Sequence, residues 1–273
     1  SRYSGSPTHP SEGELMKTLF DVSGKIAVVS GGSSGIGFMM AQGLLENGAK
    51  VYITARKIGQ LEEAAKALSE FGECIAIPSD LSTLAGIEGF VAELSKRESK
   101  LDILINNAGA VWAAPIDSFP EQGWDKVMDI NIKGLFFMTQ KCLPLLKAAG
   151  TTERRSRVIN IASINGIRNS GMPTYSYTAS KSAVVNLTTH LATDLIGDNI
   201  LVNAIAPGYF PSKMTKEIVD NDAMTKYALT KIPANRMGTP EDIAGTALYL
   251  SSRASAFMCG QTLVVDGGQI STA

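Results

Sequence analysis

Tyr177 and Lys181 stand four residues apart, with Ser163 fourteen residues upstream of the tyrosine. On a helix, positions i and i+4 share one face about one turn apart. An ammonium placed there favours phenolate over phenol, lowering a pKa that is about 10 in a free tyrosine. Such a tyrosine can give or take a proton near neutral pH, as interconversion of a carbonyl and an alcohol requires. Tyr175 is six residues from Lys181 and falls on a different face. Ser176 and Ser180 compete with Ser163, but Ser163 directly follows the apolar run Val158–Ala162. That puts it at the carboxyl end of a strand, where the ligand sites of α/β sheets open. By itself the Tyr–Lys pair describes an ordinary helix surface; its neighbours along the chain decide otherwise.

The strand-like run Ile26–Ser30 leads into Gly31-Gly32-Ser33-Ser34-Gly35-Ile36-Gly37 and then an apolar helical stretch, Phe38 to Glu46. Gly31 allows the tight turn, Gly35 lets backbone approach a pyrophosphate, and Gly37 permits close packing of helix on strand. The helix start offers unpaired N–H groups to phosphates. Spacing is Gly-x3-Gly-x-Gly rather than Gly-x-Gly-x2-Gly. About 20 residues on, where an NAD-preferring site places Asp or Glu, the chain has Thr54-Ala55-Arg56-Lys57. A guanidinium followed by an ammonium suits a 2′-phosphate dianion, so the reading is NADP(H).

These groups need a scaffold. Short, nearly continuous apolar runs recur at Ile26–Ser30, Val51–Ala55, Cys74–Pro78, Ile103–Asn106, Val158–Ala162, Ile200–Ala206 and Thr262–Val265. Runs of that kind are strands covered on both faces. Helical patterns lie between them, such as Leu61-x2-Ala64-Ala65-x2-Leu68 and Ile87-x2-Phe90-x3-Leu94. Another begins at Thr239-Pro240-Glu241-Asp242, with a capping Thr, Pro in the first turn and acids at the positive end of the dipole. Repeated strand–helix alternation predicts an α/β fold: a single doubly wound, Rossmann-type domain with a parallel sheet of about seven strands. Residues 21–273 form that domain, after a flexible tail over residues 1–20. Ser1 to Leu15 is Ser/Pro/Gly-rich, without a secretory apolar region, and Met16 offers a natural start. Ala148–Arg157 reads as a polar surface connection before a strand.

Composition narrows the function classes. The net charge of −1 gives no reason to expect nucleic acid or an anionic membrane as partner. No apolar run reaches the roughly 18–20 residues that span a bilayer. Cys74, Cys142 and Cys259 lack paired spacing, which argues against a disulfide framework or a zinc site and fits a reducing, cytoplasmic setting. With only His9 and His190, histidine triads and multi-histidine metal sites are nearly excluded, and no metal is expected.

Taken in order, these motifs resemble the short-chain dehydrogenase/reductase family from about Gly24 to Gly268. Ser30-Gly31-x3-Gly35-x-Gly37 is similar to its cofactor loop. The resemblance implies adenine contact at Asp80-Leu81 and a fourth-strand motif at Asn106-Asn107-Ala108-Gly109. It implies a catalytic tetrad of Asn131, Ser163, Tyr177 and Lys181, and late landmarks at Pro207-Gly208 and Val265–Gly268. Lys181 would also hold the nicotinamide ribose, and Asn131 a water linking Lys181 to solvent. Ser163 would bond the substrate oxygen. Most similar are NADPH-dependent β-ketoacyl reductases of the rhamnolipid-synthesis type. Those usually carry Arg where this chain has Ser34, which leaves Arg56 as main determinant of the 2′-phosphate. Family members are mostly tetramers or dimers.

The expected function is NAD(P)H-dependent reduction of a carbonyl to a secondary alcohol, with a 3-oxoacyl thioester as first substrate. Rivals are a sugar, polyol or secondary-alcohol dehydrogenase, and a nucleotide-binding sensor that kept the fold without turnover. Tyr209, Phe210, Met214, Met224, Tyr227 and Leu229, with Trp112 and Met172 on other loops, are expected to meet an apolar or amphipathic substrate. Lys213 and Lys216 could meet an acidic carrier or a phosphopantetheine.

Overall fold

In the computed structural model, residues 16–212, 215, 218 and 220–272 are described. Seven parallel strands run in the order β3-β2-β1-β4-β5-β6-β7. They are β1 (Ile26–Ser30), β2 (Lys50–Thr54), β3 (Cys74–Ala76), β4 (Ile103–Asn106), β5 (Ser156–Ile161), β6 (Ile200–Pro207) and β7 (Thr262–Val265). The order reverses at β1, whose partners are β2 on one side and β4 on the other. At such a switch point the carboxyl ends of neighbouring strands leave a crevice.

Helices cover both faces. α1 (Gly35–Glu46), α2 (Ile58–Leu68) and α8 (Pro240–Ser251) lie on one; α3 (Leu84–Arg97), α5 (Gly134–Ala149) and α6 (Tyr175–Leu195) lie on the other. Strand residues alternate between the two cores: Val29 packs with Met40, Leu44 and Ile243, and Val28 with Phe90, Leu94 and Met138. Each such burial contributes on the order of 1.5–3 kcal/mol. α4 (Glu121–Met128) joins α5 through a π-helical turn at Asp129–Lys133, and α7 (Asp222–Leu229) lies in the segment after β6. The cap expected at Thr239 is present, with the Asp242 carboxylate accepting from the Thr239 N–H at 2.7 Å.

A buried polar ladder ties the sheet to α5 and α6. Asn106 on β4 donates to Asn160 on β5 and to Thr139 on α5, both at 3.0 Å, and Asn160 donates to Thr188 on α6 at 3.1 Å. With every member paired, the ladder fixes how those two helices sit on the strands.

Two expectations need correction. Ser156 and Arg157 are buried strand residues rather than part of a surface connection. Their polar atoms find internal acceptors: Ser156 Oγ donates to Leu146 O at 2.9 Å and Arg157 Nη1 to Leu250 O at 3.1 Å. In the stretch assigned to a tail, residues 1–15 lie outside the described residues. Met16–Thr18 form a short turn held to the domain, since Arg253 donates to Thr18 and Ala254 N–H to Leu19 O.

Candidate active site

The glycine turn follows from backbone sterics. Gly31 and Gly35 adopt φ of +63° and +55°, where a side chain is strained. A Cβ on Gly37 would lie 2.3 Å from Gly31 O and 2.4 Å from Asn107 Nδ2, so the helix start can press on the turn only as glycine. Ser30 Oγ accepts from the N–H groups of Asn107 and Ala108, each at 2.9 Å, and Asn107 Nδ2 donates to Gly31 O at 3.2 Å. The ends of β1 and β4 are thereby locked together. Ser34 precedes α1 in extended conformation and its side chain caps nothing; Ser33 and Ile36 are half-buried beside it. Together these residues form a cradle whose start-of-helix N–H groups suit phosphates.

Around the cradle, Arg56 and Lys57 are exposed at the end of β2. Hydrogen bonds from Ser82, and then the Arg56 charge, hold the Asp80 carboxyl below its usual range. Leu81 is buried beside it. Gly109 sits over the Asn131 side chain, where a Cβ would lie 3.3 Å from Oδ1. Pro207 ends β6, and a Cβ on Gly208 would meet Asp266 at 2.7 Å. A Cβ on Gly35 would approach the Ser212 Cβ to 3.1 Å, so the segment after β6 crosses the cradle. Thr215 holds that crossing, with Oγ1 donating to Phe210 O at 2.7 Å and accepting from Ser212 N at 2.9 Å. Neither Ser212 nor Thr215 was singled out from the sequence; hydroxyls near a Pro-Gly turn were the available signal.

The second half of the site lies on β5, α6 and the π-helical turn. Tyr177 occupies the first turn of α6 and Lys181 the next. Lys181 is buried and its Nζ donates to Ile161 O at 2.8 Å, 5.7 Å from the Tyr177 ring centroid. Burial pushes its pKa down to about 8. For Tyr177 the expected direction is reversed: burial raises the phenol, and the Ser163 hydroxyl pulls it partly back. Ser163 follows β5 and accepts from Asn165 N–H at 3.1 Å. The turn after it is docked on α6, because a Cβ on Gly166 would lie 2.6 Å from the Lys181 carbonyl.

Asn131 is buried within the π-helical turn, a distortion frequent at functional sites. Its side chain accepts from Ala110 N at 2.8 Å and donates to Ala110 O at 3.0 Å and Ser180 Oγ at 3.1 Å. It clamps the loop after β4 to α6. The competing serines are engaged elsewhere: Ser180 donates to Tyr177 O and Ser176 to Gly123 O. Tyr175 points away, edge-on to Phe119 at 5.8 Å.

On the substrate side the expectations divide. Met172, Met224 and Tyr227 are exposed. Phe210 is core, packed where a Cβ on Gly238 would clash, and Trp112 is packed over Gly123 with Lys126 5.8 Å from its ring. Lys213, Met214 and Lys216 lie outside the described residues.

A parallel sheet with a glycine cradle beside a Ser–Tyr–Lys cluster defines a class of nucleotide-dependent oxidoreductases. Residues 31–269 match the family model described as enoyl-(acyl carrier protein) reductase. The chain belongs to the short-chain dehydrogenase/reductase family. It is 44% identical over 253 residues to the rhamnolipids biosynthesis 3-oxoacyl-(acyl-carrier-protein) reductase of Pseudomonas aeruginosa, covering 93% of this chain and 99% of that one. Gluconate 5-dehydrogenase of Gluconobacter oxydans is 36% identical over 252 residues, 92% of this chain and 96% of the relative. The solved Pseudomonas aeruginosa RhlG/NADP active-site complex superposes with a TM-score of 0.91 at 44% identity, over 93% of this chain and 99% of that chain.

Proposed function

We propose that this protein is an NADP(H)-dependent reductase that converts a carbonyl, first of all that of a 3-oxoacyl thioester, to a secondary alcohol. One observation carries the reading: Ser163, Tyr177 and Lys181 converge at the carboxyl edge of β5, two strands from the glycine cradle. The cradle fits a dinucleotide, since positive φ at Gly31 and Gly35 and the Cβ-free contact at Gly37 serve close approach of a pyrophosphate. Gly31 to Gly37 would hold the phosphates, Asp80 and Leu81 the adenine, and Arg56 with Lys57 the 2′-phosphate. Asn107 to Gly109, Lys181, Pro207 and Gly208 would line the remainder. When bound, the nicotinamide supplies hydride to carbon, leaving the protein to place the substrate and manage the proton.

In that scheme Tyr177 gives its phenolic proton to the carbonyl oxygen, and a raised pKa keeps that proton on Tyr177 until it is needed. Ser163 donates to the same oxygen as charge develops on it. Lys181 and Asn131 set the position of α6 against β5 and the loop after β4. Exposed Met172, Met224 and Tyr227 support an apolar chain on the substrate. The similarity to gluconate 5-dehydrogenase favours a polyol acid as the second reading. Exposed Phe257, and Val264 on the edge strand β7, support assembly into dimers or tetramers. A cytoplasmic location is part of the same proposal. Among the described residues, no helix is long and apolar enough to cross a membrane.

The test is NADPH consumption across a panel of 3-oxoacyl thioesters, free ketones and keto-gluconates. Fastest turnover with the thioesters supports the first reading. Turnover confined to keto-gluconates replaces it with the second, and NADPH binding without turnover across the panel leaves only a nucleotide-binding protein.

A further inference from the structure

Arg157 on β5 is 6% exposed and lines a cleft of about 210 Å³ at the amino ends of β1, β5 and β6. Its Nε donates to Arg155 O at 3.3 Å, and its Nη1 to Leu250 O at 3.1 Å and Ser255 Oγ at 2.5 Å. All three acceptors are neutral. Among the described residues no carboxylate lies within ion-pair distance of Arg157. Its remaining nitrogen, Nη2, makes no hydrogen bond and is not sealed from solvent. Buried charges are ordinarily paired, because leaving one uncompensated in a low-dielectric setting is costly.

Lys25, Arg154, Arg155 and Arg253 line the cleft with Arg157, alongside Asp21 and Glu153, and Arg154 and Arg253 have partners of their own. Asp21 is partly engaged, accepting from Ser23 N–H at 2.8 Å, and Lys25 has Asp102 at 4.0 Å. Two further polar atoms at the cleft have no partner: Nε of Arg155 and the hydroxyl of Ser251, a residue 4% exposed. Burial, and then the neighbouring Arg155 charge, lower the Arg157 pKa to about 10, so it is still cationic at neutral pH.

We propose that this cleft binds a phosphoryl-type oxyanion, free or carried on a small metabolite, with Arg157 as the buried counter-charge and Arg155 and Arg253 as further donors. Guanidinium groups present planar forks that match such oxygens, and a concave, cation-rich setting strengthens each bond. Water occupies about 30 Å³ per molecule, so the cleft has room for an oxyanion with part of its hydration. Four residue steps from Arg157 to Ile161, at about 3.3 Å each, put roughly 13 Å between Arg157 and the carboxyl end of β5. The ligand is therefore separate from the phosphates of a dinucleotide in the cradle.

The experiment is calorimetric titration of pyrophosphate, and separately of inorganic phosphate, into the full chain at constant ionic strength. The same titrations are made with Arg155→Gln, Arg253→Gln and Arg56→Ala. The expected result is saturable binding of one anion per chain, weakened about tenfold by either cleft substitution and unchanged by Arg56→Ala. Tighter binding of pyrophosphate than of phosphate would point to a phosphorylated metabolite; equal affinity would point to the free ion. Absence of saturable binding overturns the proposal. So does binding kept undiminished in both cleft variants, whether or not Arg56→Ala weakens it, because the anion then sits outside the cleft. Circular dichroism of each variant separates lost binding from lost folding, and the wild-type titration stands by itself if a variant does not fold.

Discussion

The Lys181 ammonium donates to the carbonyl of Ile161, the last residue of β5, at 2.8 Å. This bond joins the helix that carries Tyr177 to the strand that delivers Ser163. It makes the lysine a tie between two elements as well as a charge near a phenol, while burial of the phenol raises the Tyr177 pKa.

Tyr177→Phe removes the proposed proton donor and little else. Turnover should fall by about two to four orders of magnitude, the usual worth of general acid catalysis, with NADPH affinity nearly unchanged. Steady-state rates paired with fluorescence titration of NADPH check it; a variant as active as wild type rules out the assignment.

Lys181 leaves a signature in stability as a function of pH. Its folded pKa is lowered from 10.5 to about 8, so between those values the unfolded chain binds a proton that the folded chain does not. Wild-type stability therefore falls as pH drops from 10.5 to 8 and levels off below 8, by up to about 3 kcal/mol. Lys181→Met lacks this pH dependence. Denaturant melts of both proteins should show wild type gaining on the variant as pH rises through that window. A constant difference would mean that Lys181 titrates normally.

Gly37→Ala and Gly89→Ala should behave oppositely. At Gly37 the new methyl would overlap Gly31 O and Asn107, costing about 1–3 kcal/mol and loosening the cradle. At Gly89, within α3, nothing lies within 4 Å of the new methyl, and helix propensity predicts a gain of about 0.5–1 kcal/mol. Thermal melts of the two variants decide the matter.

Arg56→Ala should shift cofactor choice rather than chemistry. Losing a charge-assisted bond to a 2′-phosphate lowers the NADPH/NADH ratio of kcat/KM by about ten- to a hundredfold. An unchanged ratio would move the discrimination elsewhere, with Lys57 and Ser34 the next positions to vary.

The strands were legible because parallel strands covered on both faces are apolar almost throughout, as Ile103–Asn106 and Ile200–Pro207 are. Where a strand begins with polar residues the signal failed. Ser156 and Arg157 read as a loop, since nothing local reveals that Leu146 and Leu250 carbonyls await them. The cradle was legible for a steric reason: only glycine tolerates those dihedral angles and contacts. The sign of the Tyr177 shift was not legible. Spacing places Lys181 one turn away, but burial of the phenol and the Ile161 carbonyl are tertiary facts. Likewise Phe210 and Trp112 carried the composition of a substrate wall, but Phe210 packs into the core beside Gly238, and half-buried Trp112 packs over Gly123.

The docking of Gly166 on the Lys181 backbone has a consequence for how new specificities could arise. With no room for even a methyl group between them, the Ser163 turn and α6 behave as one rigid piece. Drift in sequence on that side would disturb Tyr177 and Ser163, the proposed proton and hydrogen-bond donors, together. At Met224 and Tyr227, by contrast, side chains already face solvent, and exchange costs little packing. Lineages descending from such a chain could change what they reduce while inheriting, unaltered, the means of reducing it.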